Sequence, residues 1–215
     1  MARCYPISLV LAGRPCLVVG GGRVAERKVL SLLACEARVR LVSPVLTRGL
    51  QAMAEKGQIE YRQGEYRPAD LEGIFLVVAA TNRDEVNHRV AREAMERNML
   101  VNVVDDPSYG NFYVPAVVRR GALQIAISTD GKSPLLARRI KEELEKRYGP
   151  EYGLLADLLG EIRADMLEQT VDPVKRRNVL TALVDEQVLR LLAAGELEQA
   201  KERVINAYHR GRSEP

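Results

Sequence analysis

The order of hydrophobic and polar residues in the first half of the chain predicts buried strands that alternate with amphipathic helices. Four apolar runs have the length of a strand, namely CLVVG, RVRLVSP, IFLVVAAT and LVNVVDDP. Helical patterns lie between them, namely VAERKVLSLLAC, TRGLQAMAEKG and DEVNHRVAREAMERN. Strands buried on both faces carry continuous apolar runs, and their alternation with helices is typical of a parallel sheet. We predict a doubly wound α/β domain over residues 1–112.

A second pattern begins after residue 112. The stretch FYVPAVVRRGALQIAIST contains two strand-like runs joined at Arg120-Gly121 without a helix between them, which predicts antiparallel pairing. In the next stretch, Ser133 and Pro134 are a suitable N-cap and first residue for a helix. We therefore predict a small mixed α/β segment over residues 113–150.

The remaining residues, 151–215, are predicted to form a helical C-terminal domain. Apolar residues recur there at helical spacing, as in LLADLLGEIRADM. Asp172-Pro173 indicates the start of another helix, and Gly195 indicates its end.

Three consecutive glycines separate the first apolar run from the first helix. Gly20-Gly21-Gly22-Arg23-Val24-Ala25 fits the dinucleotide fingerprint G-x-G-x-x-A. In that fingerprint the first glycine permits a tight turn, the second lets the backbone approach a pyrophosphate, and the small last residue lets helix and strand pack closely. The helix N-terminus supplies amide donors for the phosphates. This context predicts dinucleotide binding by a Rossmann-like domain, against the alternative of a purely structural turn.

The second strand ends at Ser43-Pro44, where an Asp or Glu would ordinarily bind the adenine ribose. A serine hydroxyl could bond a ribose oxygen, whereas Arg23 or Arg48 could face a 2′-phosphate, so both NAD and NADP stay open. In the alternative without a ligand, Pro44 simply ends the strand and Ser43 faces solvent.

Thr81-Asn82 follows the IFLVVAA strand at the edge where doubly wound sheets bind their ligands. Asn82 or Asp84 is also a suitable N-cap for the next helix, and the two interpretations are compatible. The two histidines, His88 within that helix and His209 near the C-terminus, are expected on the surface.

An acidic pair follows the last apolar run, in NVVDDPSYGNFYVP. We expect Asp105 to continue the strand and Asp106 to begin a turn before Pro107. Adjacent side chains of an extended chain point to opposite faces, so only one of the two acids can face a ligand cleft. The functional interpretation is a general base, and the structural alternative is an Asx-turn cap.

The loop ISTDGKSP leads into the helix predicted after Ser133. Hydrogen-bond donors for an anion are expected at Ser128, Thr129, Lys132 and Ser133. Residues 119–147 carry eight basic and four acidic side chains, a surplus that would attract a ligand with several carboxylates. The alternative is a solvated helix face held by i,i+4 ion pairs.

Composition argues against several classes of protein. A net charge of +3 over 32 basic and 29 acidic side chains is too balanced for a protein that mainly coats nucleic acid. The apolar runs are far shorter than the about 20 residues of a membrane-spanning helix. The three cysteines have neither zinc-site spacing nor an even count, so no metal site is predicted. Because no run is long enough to span a membrane and the N-terminus MARCYPISLVLAG leads within a few residues into a strand, a cytoplasmic location is expected.

Four motifs, in this order and spacing, resemble the precorrin-2 dehydrogenase family, which includes the N-terminal module of sirohaem synthases. They are the glycine turn, ATNRDEVN, NVVDDPSYGNFYVPAVVRRG and ISTDGKSPLLARRI. The resemblance covers residues 4 to about 150, whereas residues 151–215 match only in being helical. The form it implies is the stand-alone enzyme, without a methyltransferase domain.

The resemblance implies NAD-dependent oxidation of precorrin-2 to sirohydrochlorin by a homodimer that is built through the segment after the Rossmann-like domain. Some members of the family also insert ferrous iron, a co-substrate, to give sirohaem, so the resemblance implies this second activity as an option. Thr129 stands where some members carry a serine. The essential aspartate falls on Asp105, and the cofactor contacts fall on Gly22, Arg23, Val24, Ser43, Pro44 and Val45.

Oxidation of a partly reduced tetrapyrrole removes a hydride and a proton, and a carboxylate near the cofactor could take the proton. A different class of function stays open, namely a regulatory module that senses NAD at the same glycines without turnover. Within the enzyme interpretation, dehydrogenase activity alone and dehydrogenase with ferrochelatase activity are both open.

Overall fold

The protein, seen in a computed structural model, consists of two compact units, Met1–Val114 and Pro115–Pro215. The structure describes residues 4–168 and 183–213. Each unit has its own hydrophobic core. The predicted helix start at Asp172-Pro173 lies outside the described residues.

The first unit contains a five-stranded parallel sheet with the strand order β3-β2-β1-β4-β5. The strands are β1 Pro15–Val19, β2 Arg38–Ser43, β3 Glu60–Gln63, β4 Leu76–Ala79 and β5 Leu100–Val103, and the helices are α1 Arg23–Leu33, α2 Arg48–Glu55 and α3 Asp84–Glu96. The predicted Rossmann-like fold is confirmed. Because the strand order reverses between β1 and β4, their carboxyl ends form the switch point where such sheets bind ligands.

The sheet contains one strand, β3, that was not among the four strands predicted from the sequence. Its sequence, EYRQ, contains a single apolar residue, Tyr61. It lies at the edge of the sheet, next to β2. An edge strand is less enclosed than the central ones, so it needs no continuous apolar run.

Alternation along β1 divides its side chains between the two faces of the sheet. Cys16 and Val18 belong to the core that contains buried residues of α1 and α2, whereas Leu17 and Val19 belong to the core that contains buried residues of α3. Each fully buried aliphatic side chain contributes about 1.5–3 kcal/mol through the hydrophobic effect. Burial on both faces explains the continuous apolar run CLVV.

The second unit begins with the predicted antiparallel pair, β6 Ala116–Arg120 and β7 Leu123–Ile127, joined through Gly121 at φ +52°. Ser133 caps the next helix as predicted, because its hydroxyl accepts a hydrogen bond from the Leu136 N–H at 3.2 Å. The helices within the described residues are α4 Pro134–Arg147, α5 Glu151–Glu168, α6 Glu186–Ala193 and α7 Leu197–Ser213.

Helices α5, α6 and α7 share the core of the second unit, around buried residues such as Met166, Val188 and Val204. Gly195, with φ +80°, ends α6 in the left-handed conformation that favours glycine. In the part of the chain that the structure describes, no helix is long and apolar enough to cross a membrane.

Candidate functional site

The three glycines after β1 differ in what surrounds them. Gly20 has φ +128°, and a Cβ there would lie 2.3 Å from the Ala80 carbonyl oxygen, just after β4. A Cβ on Gly21 would lie 1.9 Å from the Val45 carbonyl oxygen, just after β2. A Cβ on Gly22 would meet no described atom within 4 Å. Contacts within the fold therefore require Gly20 and Gly21, whereas the space over Gly22 is open to a ligand.

Helix α1 starts directly after this open space, with Gly22 as its N-cap. The first amides of a helix have no partner within the helix, and the helix dipole there favours an anion. Arg23 is exposed, Val24 is half-buried against the core, and Ala25 is fully buried. The open backbone and the close packing at Ala25 fit the pyrophosphate of a dinucleotide as the fingerprint predicts.

The segment after β2 lies against the glycine turn. Ser43 is buried, and its hydroxyl donates a hydrogen bond to the Val45 carbonyl at 2.8 Å. The alternative in which Ser43 faces solvent is therefore wrong, because the hydroxyl lies inside, against Gly21. Pro44 and Val45 are exposed, Val45 by 74%. At this edge the accessible surface thus belongs to Pro44 and Val45, while Ser43 holds their backbone.

Thr81 is held by Asn87, a buried residue of α3 that is not among the site residues predicted from the sequence. The Asn87 side-chain oxygen accepts from the Thr81 N–H at 3.1 Å and from its hydroxyl at 2.8 Å, and the Asn87 amide donates to the Thr81 carbonyl at 3.0 Å. The sequence contained one signal for Asn87, because it is a polar residue on the otherwise apolar stripe of the helix. Asn87 therefore fixes the chain at the carboxyl end of β4.

The start of α3 differs from the expectation. The helix begins at Asp84 after Arg83, which makes no side-chain cap, so neither Asn82 nor Asp84 is the N-cap. Thr81 takes over part of that role, because its hydroxyl oxygen accepts from the Arg83 N–H at 3.1 Å. Asn82 is consequently exposed, and its side chain is accessible to a ligand at the edge of the sheet.

Strand β5 ends at Val103, so the expectation that Asp105 continues the strand is wrong. Asp105 has φ +63°, in the left-handed region that Asp tolerates better than most residues, and its side chain is exposed. The preceding Val104 N–H donates to the Ala79 carbonyl at 2.9 Å. Asp105 therefore lies next to the carboxyl end of β4, on the edge of the sheet that also carries the glycine turn.

Asp106 makes the contacts of a structural residue. Its carboxylate accepts a hydrogen bond from the Ser108 hydroxyl at 2.6 Å and lies 2.9 Å from His88 Nε2. These hydrogen bonds hold the pKa of the Asp106 carboxyl below its usual range. The His88 ring stacks on Tyr109, with ring centroids 3.6 Å apart and an interplanar angle of 8°. His88 is thus half-buried in this cluster, and the prediction that it lies on the surface is wrong.

Two asparagines attach the end of this turn to β5. The Asn111 side chain accepts from the Val101 N–H at 2.8 Å and donates to the Met99 carbonyl at 2.8 Å, much as a paired strand would. The buried Asn102 side chain donates to the Phe112 carbonyl at 3.1 Å. The turn that carries Asp105 is therefore attached to the sheet at both of its ends.

Lys28 of α1 interacts electrostatically with Asp105. Burial, followed by the charge of Arg27, lowers the pKa of Lys28, and the charge of Asp105 opposes that shift. Val104 packs against the same core as α1, which explains how the end of β5 approaches the helix. The sequence carried no signal for Lys28, because its proximity to Asp105 arises only from this packing.

The predicted anion-binding loop belongs to the second unit, between β7 and α4. Asp130 has φ +50°, and the Lys132 N–H donates to the Thr129 carbonyl at 3.0 Å, which closes a tight turn. The Ser128 hydroxyl oxygen accepts from the Asp130 N–H at 3.2 Å, and that of Thr129 accepts from the Ser133 N–H at 2.9 Å. Since these oxygens accept from the backbone, their hydrogens can be donated to a ligand.

The positive surplus of residues 119–147 is largely engaged within the second unit. Arg120 donates to the carbonyls of Tyr148 and Glu145 at 2.9 and 3.0 Å. Three cations of α4 form ion pairs one turn apart, namely Arg138–Glu142, Arg139–Glu143 and Lys141–Glu145. The alternative of a solvated helix face held by i,i+4 ion pairs therefore describes most of α4, whereas Lys132 lies within the loop.

Family models match three consecutive parts of the chain. The model described as "Putative NAD(P)-binding" matches residues 7–116, "Sirohaem biosynthesis protein central" matches residues 120–147, and "Sirohaem synthase dimerisation region" matches residues 151–207. The first match agrees with the predicted NAD cofactor, since it contains the glycine turn. The third shows that the C-terminal helices share more with sirohaem synthases than their helical character.

Curated relatives are similar over most of this chain. A siroheme synthase of Photobacterium profundum is 39% identical over 201 residues, which are 94% of this chain and 43% of that protein. Siroheme synthase 1 of Aeromonas salmonicida is 41% identical over 195 residues, which are 91% and 40% of the two proteins. The chain spans about two fifths of the length of these relatives.

A solved structure described as "SirC, precorrin-2 dehydrogenase" has a similar fold. It is 34% identical in sequence, with a TM-score of 0.76, and the comparison covers 93% of this chain and 100% of that chain. The similarity therefore includes both units of the present chain.

Proposed function

Because this chain belongs to the precorrin-2 dehydrogenase family, we propose that it oxidises precorrin-2 to sirohydrochlorin with NAD, a step of sirohaem biosynthesis. The similarity to SirC carries this proposal, since it extends over nearly the whole chain. Within the chain, we propose an NAD-binding domain over residues 1–112, a dimerisation and substrate-contacting segment over residues 113–150, and a helical domain over residues 151–215.

The proposed cofactor site follows the carboxyl ends of β1, β2 and β4. Gly22 and the first amides of α1 would hold the pyrophosphate, because the backbone there is open and a helix N-terminus binds anions well. When bound, NAD supplies the acceptor for the hydride that leaves the substrate. The further proposed contacts are Gly20, Gly21, Arg23, Val24, Ser43, Pro44, Val45, Thr81 and Asn82.

We assign to Asp105 the role of the general base that takes the proton released with the hydride. A base must be accessible to the substrate and held within hydrogen-bond reach of the proton. Asp105 is exposed on an attached turn next to the end of β4, which supports the assignment. Lys28 of α1 supplies a positive charge that interacts with Asp105.

The loop of the second unit is the proposed binding site for the carboxylates of the tetrapyrrole. Ser128, Thr129 and Ser133 carry hydroxyl groups whose oxygens accept backbone hydrogen bonds, so the hydroxyl hydrogens can point to an anion. Lys132 adds a positive charge, and the N-terminus of the 14-residue helix α4 adds its dipole.

Turnover tests the proposal directly. The full chain is incubated with NAD and precorrin-2, and NADH is followed by its absorbance. We expect NADH to form with the parent protein, and the Asp105→Asn variant to lose at least about 100-fold in kcat while its Kd for NAD stays unchanged. Arg138→Ala, an exposed change on α4, serves as the control that keeps parent activity.

Two other outcomes have definite meanings. If the parent binds NAD but forms no NADH with precorrin-2, the regulatory module without turnover replaces the enzyme. If Asp105→Asn keeps parent activity, the chain is a dehydrogenase whose base lies elsewhere.

Insertion of ferrous iron into sirohydrochlorin stays a separate prediction, which the appearance of sirohaem after addition of ferrous iron would verify. We also propose a homodimer, supported by the match of residues 151–207 to the dimerisation region. A cytoplasmic location is likewise proposed.

A further inference from the structure

The turn after Asp105 is attached to helix α3 through His88. Residues Pro107–Tyr109 form a single 3-10 turn. His88 Nε2 lies 2.9 Å from the carboxylate of Asp106, at the start of this turn, and the His88 ring stacks on Tyr109 at its end. The Ser108 hydroxyl donates to the other carboxylate oxygen of Asp106 at 2.6 Å. One imidazole therefore contacts both ends of the turn.

Asp105 is the residue between two attached neighbours. On one side, the Val104 N–H is bonded to the Ala79 carbonyl, and on the other side Asp106 is bonded to His88. The left-handed backbone of Asp105 is the less favourable conformation for a residue with a side chain, so surrounding contacts must maintain it. Without the His88 contacts, nothing in the described part of α3 would hold Asp106 by its side chain.

We propose that His88 is a positioning residue for Asp105, because it holds the turn in the conformation that presents the Asp105 carboxylate to the substrate. This inference rests on the proposed function, in which Asp105 is the base. His88 itself does not touch the reacting atoms, and it acts through Asp106 and Tyr109.

Positioning explains this cluster better than stability. The His88 and Asp106 side chains are 31% and 37% exposed, and pairs with that exposure contribute little to global stability. A catalytic group, in contrast, is sensitive to small displacements, and a shift of about 1 Å can reduce the rate about 100-fold. Loss of His88 should therefore lower kcat strongly while it changes the thermal stability of the protein only slightly.

The experiment compares His88→Ala, His88→Gln and the parent in the full chain, with NAD and precorrin-2. We expect His88→Ala to lower kcat about 10- to 100-fold, with the Kd for NAD and the Tm close to those of the parent. His88→Gln should recover most of this loss, because its amide nitrogen reaches about as far as Nε2 and can donate to Asp106. Arg89→Ala, which breaks an ion pair on the same helix without touching the turn, should keep parent kcat.

Asp106→Ala provides a second route to the same contact without changing α3. It should lower kcat as His88→Ala does, and the loss in the double variant should be clearly smaller than the two single losses combined, because both changes break the contact between His88 and Asp106. Losses that add in the double variant, or a kcat within twofold of the parent in both single variants, would overturn the proposal.

Asp105→Asn, measured in parallel, separates this inference from the proposed function. If Asp105→Asn is inactive while the His88 and Asp106 variants are active, only the positioning role fails. If Asp105→Asn is active, the base assignment fails and the positioning role falls with it.

Discussion

At the scale of single residues, Gly20 and Gly22 show how two glycines of one turn can serve different purposes. Gly20 has a positive φ and lies against the Ala80 carbonyl, so its lack of a side chain is a requirement of the fold. Gly22 has an extended backbone and open space around its Cα, so its lack of a side chain is useful only if a ligand comes close. The glycine turn therefore combines a folding role and a binding role.

Substitutions separate the two roles. Gly20→Ala should lower the free energy of unfolding by about 1–3 kcal/mol or more, because it adds backbone strain and a clash with Ala80. Gly22→Asp should fold with a Tm near that of the parent but lose NAD binding, since its charge and bulk would face the pyrophosphate. Thermal denaturation and titration with NAD measure the two effects. An unfolded Gly22→Asp protein, or one that binds NAD normally, would contradict this assignment.

Asp105 shows the limit of residue-level prediction. Its chemistry as a carboxylate at the end of β5 is visible in the sequence, but its left-handed backbone is not. Period-two alternation predicted that only one of the two acids faces a ligand, on the premise that the strand continues through Asp105. That premise is wrong, because β5 ends at Val103 and the backbone of Asp105 has a positive φ, so the chain turns there.

At the scale of the elements, polar side chains fix the ends of helices and strands. Asn87 holds the end of β4 to α3, and Asn111 pairs with β5 as a strand would. The same device occurs in the second unit. The Asp185 carboxylate accepts from the Gln187 N–H at the start of α6, and from Arg203 of α7 at 2.7 and 2.9 Å.

The Asp185 contacts predict a pH dependence. The hydrogen bond from Gln187, followed by that from Arg203, lowers the pKa of Asp185 from 3.8. A lowered pKa stabilises the fold above the unfolded value, and the stabilisation disappears as the pH falls through the folded value. Asp185→Asn should therefore have a lower Tm than the parent at about pH 7, and the difference should shrink in acid, as the pH falls through the lowered pKa of Asp185 in the folded state.

Glu186→Gln is the matched control for this measurement. Glu186 is the next residue, and its ion pair with Arg190 is exposed on both sides, so its removal should leave the Tm unchanged at either pH. A Tm difference between parent and Asp185→Asn that stays the same in acid would show that the charge of Asp185 does not stabilise the fold.

At the scale of the whole molecule, a parallel sheet unit and a largely helical unit share one chain. Asp105, the proposed base, belongs to the first unit, and the loop with the proposed donors for carboxylates belongs to the second. Both units are included in the similarity to SirC.

The homodimer is the prediction that belongs to this scale. With a chain mass of 23.9 kDa, light scattering coupled to size-exclusion chromatography should give about twice that mass, with or without NAD. We expect so because residues 151–207 match the dimerisation region. A monomeric mass at micromolar and higher concentrations would contradict the proposal.

The sequence by itself determined the features that depend on local interactions. The alternation of strands and helices, the glycine turn, the antiparallel pair around Gly121 and the Ser133 cap each depend on residues within a few positions of one another. Periodicity, backbone freedom and capping act over that range, so their signals are visible in the order of the residues.

Only the tertiary structure decided the contacts between residues that are distant in the chain. His88 meets Asp106 across 18 positions, and Lys28 interacts with Asp105 from another helix. Such pairs arise when packing of the apolar faces brings separate elements together, and many polar side chains could occupy the resulting positions. The sequence pattern thus places Asp105 at the sheet edge, whereas packing selects the side chains that hold it there.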